Sequence, residues 1–203
     1  MRRLVATALL AACAGLASGC AQTEQRESTT EPTERTAQPA EPAPTGEPGG
    51  SDGPVVPEGF RVFAGDGFRV ALPCTPDLKT IPITLPSGTE LEARSWGCAS
   101  SEVAFAVSTT TFPRGLASDL DGVSVGIARQ TGGTVVADEA VSYAGLPGRD
   151  VTVKVERGGQ TAMSFSRALK RGRTLVQVQV VVVGDAAEPP SDYPKILGSL
   201  ELT

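Results

Sequence analysis

The segment "GRDVTVKVERGGQTAMSFSRALKRGRTLVQVQVVVV", residues 148–183, decides the fold. Val151, Val153 and Val155 recur at every second position, and Val176, Val178, Val180 and Val182 do so again, which marks half-buried strands rather than a helix. Gly158-Gly159 fits a two-residue hairpin loop between residues 149–157 and 160–169, and "KRGR" at 170–173 fits the next one. This half of the chain therefore reads as an antiparallel meander. Upstream, "EVAFAVSTT" adds a strand with Val103, Phe105 and Val107 on one face.

Helices frame these strands. In "GLASDLDGVSVGIARQTGG" the residues Leu116, Leu120, Val123 and Ile127 follow helical spacing and stop at paired glycines, which predicts one amphipathic helix. Near the end, "EPPSDYPKILGSLEL" offers Ser191 as a cap and Tyr193, Ile196, Leu197 and Leu200 as an apolar stripe. Residues 59–203 make one domain of about 145 residues, enough to bury roughly two thirds of its unfolded surface. The expected class is α+β, an antiparallel sheet with helices packed on it.

Cysteine positions sharpen that picture. "IPITLPSGTELEARSWGC" reads as two strands around a Pro86-Ser87-Gly88 turn, and reflecting Cys98 through the turn lands beside Cys74. Cross-strand neighbours fall within the Cα separation a disulfide needs, so Cys74 and Cys98 are expected to be bridged in an oxidising compartment. Trp96, two residues before Cys98, is expected to pack against that bridge.

The N-terminus supplies the compartment. Arg2 and Arg3 precede an apolar run from Leu4 to Ala17, and Ser18 and Gly19 lead to Cys20. About 14 residues are too few to cross roughly 30 Å of hydrocarbon, so residues 1–19 read as a signal peptide. "LLAAC" ending at Cys13 resembles a lipobox as closely as "LASGC" does, but it would leave only a short apolar run, and Cys20 is the expected lipidated residue. Ordinary secretion with Cys20 as a thiol is the alternative. Residues 20–58 are rich in Glu, Thr, Pro and Gly and poor in large apolar groups, so they read as a disordered tether. That tether holds the acidity, with eight acids against two Arg over residues 21–58, whereas residues 59–203 carry 15 acids against 14 Lys and Arg. A near-neutral domain argues against nucleic acid as a partner.

The chain contains no His, which removes Ser-His-Asp and Cys-His sites and His-ligated zinc. "GVSVG" at 122–126 matches the nucleophile-elbow pattern, but Ser124 falls in the expected helix and has no His partner. "DLDG" at 119–122 hints at calcium, yet Ser124 stands where such a loop needs Gly and Gln130 where it needs Glu. Asp138 and Glu139 are adjacent in an expected strand and so face opposite ways. No catalytic residue, metal or cofactor is expected. Arg167, Lys170, Arg171 and Arg173 form the densest basic cluster, a candidate docking patch for an anionic head group or an acidic partner.

"FRVALPCTP", the stretch from "DLDGVSVGIARQTGG" through "GLPGRDVTVKVE", and "YPKILGSLEL" together resemble the order of elements in PsbP-like domains. With the anchor and tether added, the chain resembles mycobacterial lipoproteins of the LpqN type. It departs from the opening of that pattern at Cys74, where glycine is usual. The resemblance implies an α/β/α sandwich around an antiparallel sheet and an accessory or binding role rather than catalysis. Arg outnumbers Lys 14 to 4, which suits a GC-rich actinobacterium. The resulting expectation is a non-catalytic lipoprotein of the cell envelope, held on the outer leaflet of the cell membrane, whose partner is an envelope protein or lipid. The alternatives are a lipid carrier with an apolar cavity and a carboxylate-based hydrolase of wall glycans, which would need two acids facing one cleft.

Overall fold

The computed structural model describes residues 56–84, 88–116 and 120–203, all within one compact unit. The signal peptide, Cys13, Cys20, nearly all of the tether, Pro86, Ser87 and Asp119 lie outside the described residues. In chain order the elements are β1 (Arg61–Gly65), β2 (Phe68–Leu72), β3 (Asp77–Thr84), β4 (Glu90–Ala99), β5 (Val103–Thr111), α1 (Val123–Thr131), β6 (Thr134–Tyr143), β7 (Leu146–Arg157), β8 (Gln160–Arg171), β9 (Thr174–Val183), α2 (Asp192–Gly198) and β10 (Glu201–Leu202). Seven strands form one antiparallel sheet in the order β3-β4-β5-β9-β8-β7-β6, and β1-β2-β10 form a smaller one.

The meander forms as its spacing predicts. Gly158 and Gly159 have φ of 58° and 74°, the left-handed pair that a tight two-residue hairpin requires. Arg171 pairs with Thr174 across the next turn. The central strands, however, are buried on both faces rather than half-buried. On β9, Val176, Val178 and Val180 pack with Phe68, Trp96, Phe165, Leu169 and Ile196, while Leu175 and Val181 join Val151, Val153, Val155, Val123 and Ile127 on the other side. Alternation disguised this because small or amide side chains hold the second face: Ser164, Ser166, Gln177 and Gln179 are all buried. Gln179 donates to the Ser164 hydroxyl at 2.6 Å and Gln177 to Ser166 at 3.2 Å.

With helices of nine and seven residues beside two sheets, the described domain is mostly antiparallel sheet, more sheet-rich than an α/β/α sandwich. The first helix starts only at Val123, not near Leu116. Gly122 caps the helix without a side-chain bond, and this flexible residue interrupts the apolar stripe between Leu120 and Val123. Leu116 and Leu120 still pack against the core from the preceding loop. Ser191 does sit at the cap of α2, but its side chain makes no capping bond, and Leu200 is buried just beyond the helix.

Both edges of the large sheet carry features that discourage further pairing. Pro82 lies mid-strand on β3, and on β6 the register shifts between Val135 and Ala137. The β3–β4 register sets Asp77 opposite Gly97, which brings Cys74 to Cys98 just past the strand end. They form a disulfide with Cα atoms 6.4 Å apart. The aromatic contacts of Trp96 are with Phe63 and Phe68, at centroid distances of 5.9 and 5.2 Å.

Candidate functional site

The period-two pattern that buries Trp96 sends Glu92 and Arg94 to the same face of β4, beyond the apolar cluster. Thr109 and Thr111 on β5, Thr174 and Val176 on β9 and Arg171 on β8 continue that surface across the sheet. The turn at Asp66-Gly67 between β1 and β2, together with Thr203, closes one side. These residues enclose a recess of about 490 Å³, within the roughly 300–1,000 Å³ usual for ligand sites.

Each charged group there has a definite setting. Arg94 stacks 5.3 Å from the Trp96 ring centroid and pairs with Asp66. Both side chains of that pair are about half exposed, so the pair orients Arg94 more than it stabilises the fold, contributing roughly 0–1 kcal/mol. Arg171 donates to the main-chain oxygen of Thr203, whose own N–H donates to Gly67 at 3.0 Å. The hydroxyls of Thr111 and Thr174 lie 3.3 Å apart, hydrogen-bonded to each other. Glu92 is exposed and has no ion-pair partner among the described residues.

The basic cluster read from the sequence is divided by the strand pleat. Arg167 is turned to a half-buried ion pair: its guanidinium donates twice to Asp150, at 2.7 and 2.6 Å, and lies 5.8 Å from the Tyr143 ring centroid. The hydrogen bonds it donates to Asp150 raise the Arg167 pKa further, against the opposing effect of burial. Tyr143 in turn donates to the carbonyls of Leu197 and Leu200, at 2.6 and 3.2 Å, which fastens the end of α2 to the sheet. Burial pushes the Tyr143 phenol up, and it pushes the enclosed Tyr193 phenol up far more. Lys170 pairs with Leu175 and so shares the opposite face of the sheet, while Arg173 donates to the Phe112 carbonyl at 3.2 Å. Of the four, Arg171 alone lines the recess.

The remaining motifs resolve into local packing. Ser124 is buried in the first turn of α1 and bonds to the Asp138 carboxylate. Burial would raise the Asp138 pKa, but hydrogen bonds from Arg149 and Ser124 and the Arg149 charge together hold it below the ordinary value. Arg149 donates to Asp138 at 2.6 Å and to Asp121 at 3.2 Å, so the described carboxylate of the "DLDG" stretch is engaged in an ion pair. Glu139, on the other face of β6, is exposed. Among the described residues no cluster of three or more Cys, Asp or Glu could hold a metal. Sequence reasoning missed Asp66, Glu92, Arg94 and the three threonines. The signal was the alternation Glu90, Glu92, Arg94, Trp96, a charged face running into an aromatic anchor.

No family model matches the chain, and no curated protein matches it. Among solved structures it is similar to the solution structure of cyanobacterial PsbP (CyanoP) from Synechocystis sp. PCC 6803, with 12% identity over 76% of this chain and 98% of that one and a TM-score of 0.45. It is also similar to the crystal structure of a protein of unknown function from Pseudomonas aeruginosa, with 10% identity over 66% of this chain and 86% of that one and a TM-score of 0.32.

Proposed function

We propose that this chain is a non-catalytic binding module of a bacterial, actinobacterial-type cell envelope, a PsbP-like domain held on the outer leaflet of the membrane by lipid on Cys20 and a flexible tether. The observation that carries the binding role is the recess, which is lined by two arginines, two carboxylates and four threonines. Such a charged and hydroxyl-bearing lining suits polar groups better than an acyl chain, which favours docking over lipid carriage.

One observation favours a second reading, hydrolysis of wall glycans: Asp66 and Glu92 line the same recess. Asp66 is committed to the Arg94 ion pair, which leaves Glu92 as the one lining carboxylate without such a partner among the described residues, so binding without turnover is the better account. Site-specific photocrosslinking in intact cells tests it. A crosslinker at Thr111, on the recess floor, should capture a discrete partner or ligand, and one at Glu139, on the far edge strand, should not. Equal capture from both positions, or none from Thr111, would refute the assignment. Release of sugar from wall material by the purified chain, abolished by Glu92→Gln, would establish the hydrolase instead.

A further inference from the structure

We infer that the recess takes a short zwitterionic peptide of two or three residues with both ends free, its ammonium at Glu92 and its carboxylate at Arg171. The inference deepens the binding reading and rests on it. Strands β4, β5, β9 and β8 are consecutive neighbours beneath the recess. Register sets Thr111 opposite Thr174 and Thr174 opposite Arg171. One step beyond the Ala93 to Thr110 pair, Glu92 stands opposite Thr111. A single row across four strands therefore reads Glu, Thr, Thr, Arg, with an acid and a base at its ends and two hydroxyls between them.

One end, Glu92, also carries a charge left to answer. Arg94 is matched by Asp66, whereas Glu92 has no ion-pair partner and no Asp or Glu pairs with Arg171 among the described residues. Arg171 already holds a main-chain oxygen, that of Thr203, which is the acceptor chemistry a ligand's C-terminal group would present. Three strand spacings of about 4.8 Å put the end Cα atoms roughly 14 Å apart. Both side chains reach into the recess from those ends, and the span between them suits two or three residues at about 3.3–3.6 Å each. A neutral polyol would leave the Glu92 charge unanswered, and a simple anion would leave Glu92 facing like charge.

Isothermal titration of the purified chain in detergent tests this with L-Ala-L-Ala and tri-L-alanine, their N-acetyl and C-amide forms, and glucose. A free-ended peptide should bind at least tenfold more tightly than either blocked form and than glucose. Glu92→Gln should remove the preference for a free amine, and Arg171→Gln the preference for a free carboxylate, with unchanged circular dichroism and melting. Equal binding of free and blocked peptides, tighter binding of glucose, or no peptide binding would each overturn the zwitterion. Failure of the peptides with capture from Thr111 intact removes this inference alone, whereas loss of that capture removes the binding reading with it.

Discussion

Replacing Cys74 and Cys98 together with Ser should destabilise the domain by about 3–4 kcal/mol. The bridge closes a loop with a sequence separation of 24, and in the chain-entropy model such a loop restricts the unfolded state by about 3.5 kcal/mol. Native strain would subtract from this, but a Cα separation of 6.4 Å is within the usual range of about 4.4–6.8 Å. Urea unfolding followed by tryptophan fluorescence is the direct assay, because Trp96 is the sole Trp and sits in the core beside Phe63 and Phe68. With a urea slope of about 1–3 kcal/mol per molar, the midpoint should fall by roughly 1–3 M, and reductant should lower the wild type by the same amount while leaving the double variant unchanged. Amide exchange should quicken first in β3, which pairs with β4 alone and loses its tie at Cys74. Two reactive thiols in the denatured, unreduced chain, or a midpoint unmoved by reductant, would refute both the bond and the stabilisation assigned to it.

Phe68→Ala should destabilise by about 3–5 kcal/mol, since Phe68 is fully buried and its ring meets those of Phe63 and Trp96; urea unfolding measures it, and a change below about 1 kcal/mol would mean the β1–β2 hairpin is not packed as described. Ala144→Asn should stabilise by roughly 1 kcal/mol, because Ala144 holds a left-handed φ of 49° before Gly145 in the β6–β7 turn and an Asn-Gly pair suits that conformation; thermal melting checks it. Asp138 has a folded-state pKa below its unfolded value of 3.8, so its contribution is fully present above that value and is lost as pH falls through the folded pKa. Below about pH 4 the stability of the wild type should therefore drop more steeply than that of Asp138→Asn, with α1 the first element to lose exchange protection; parallel slopes in the two proteins would remove Asp138 as the cause.

The fold was legible where one physical rule acted alone. Hairpin turns at Gly158-Gly159 and at Gly172 followed from backbone freedom, and the disulfide followed from a register that needs only a turn centre and a pleat. Misreadings came where tertiary context supplied a second rule. Helical spacing from Leu116 to Ile127 was real as a burial pattern, but Leu116 and Leu120 achieve that burial from a loop, and only the part after Gly122 closes helical hydrogen bonds. Period-two alternation correctly marked β8 and β9 as strands. It could not reveal that their second face is covered too, because Ser164, Ser166, Gln177 and Gln179 read as solvent-facing until Val151, Val153 and α1 are packed above them.

The same pleat explains why the candidate site was harder to see than the fold. A cluster in sequence is not a cluster in space when every second side chain changes face: Arg167 and Arg171 share a face that excludes Lys170, and Arg167 is then drawn into the Asp150 pair that anchors α2 through Tyr143. The recess has the opposite construction. Its floor takes one or two residues each from β4, β5, β8 and β9, and its wall takes Asp66 from a hairpin of the smaller sheet, so no window of sequence contains more than a fragment of it. What holds those fragments in register is the hydrophobic stack of Phe63, Phe68 and Trp96, on which Arg94 rests. The positioning of the charged rim thus depends on core packing. Loosening Phe68 should therefore disturb binding in the recess before it unfolds the large sheet, whose own strands are held by a separate set of ladders.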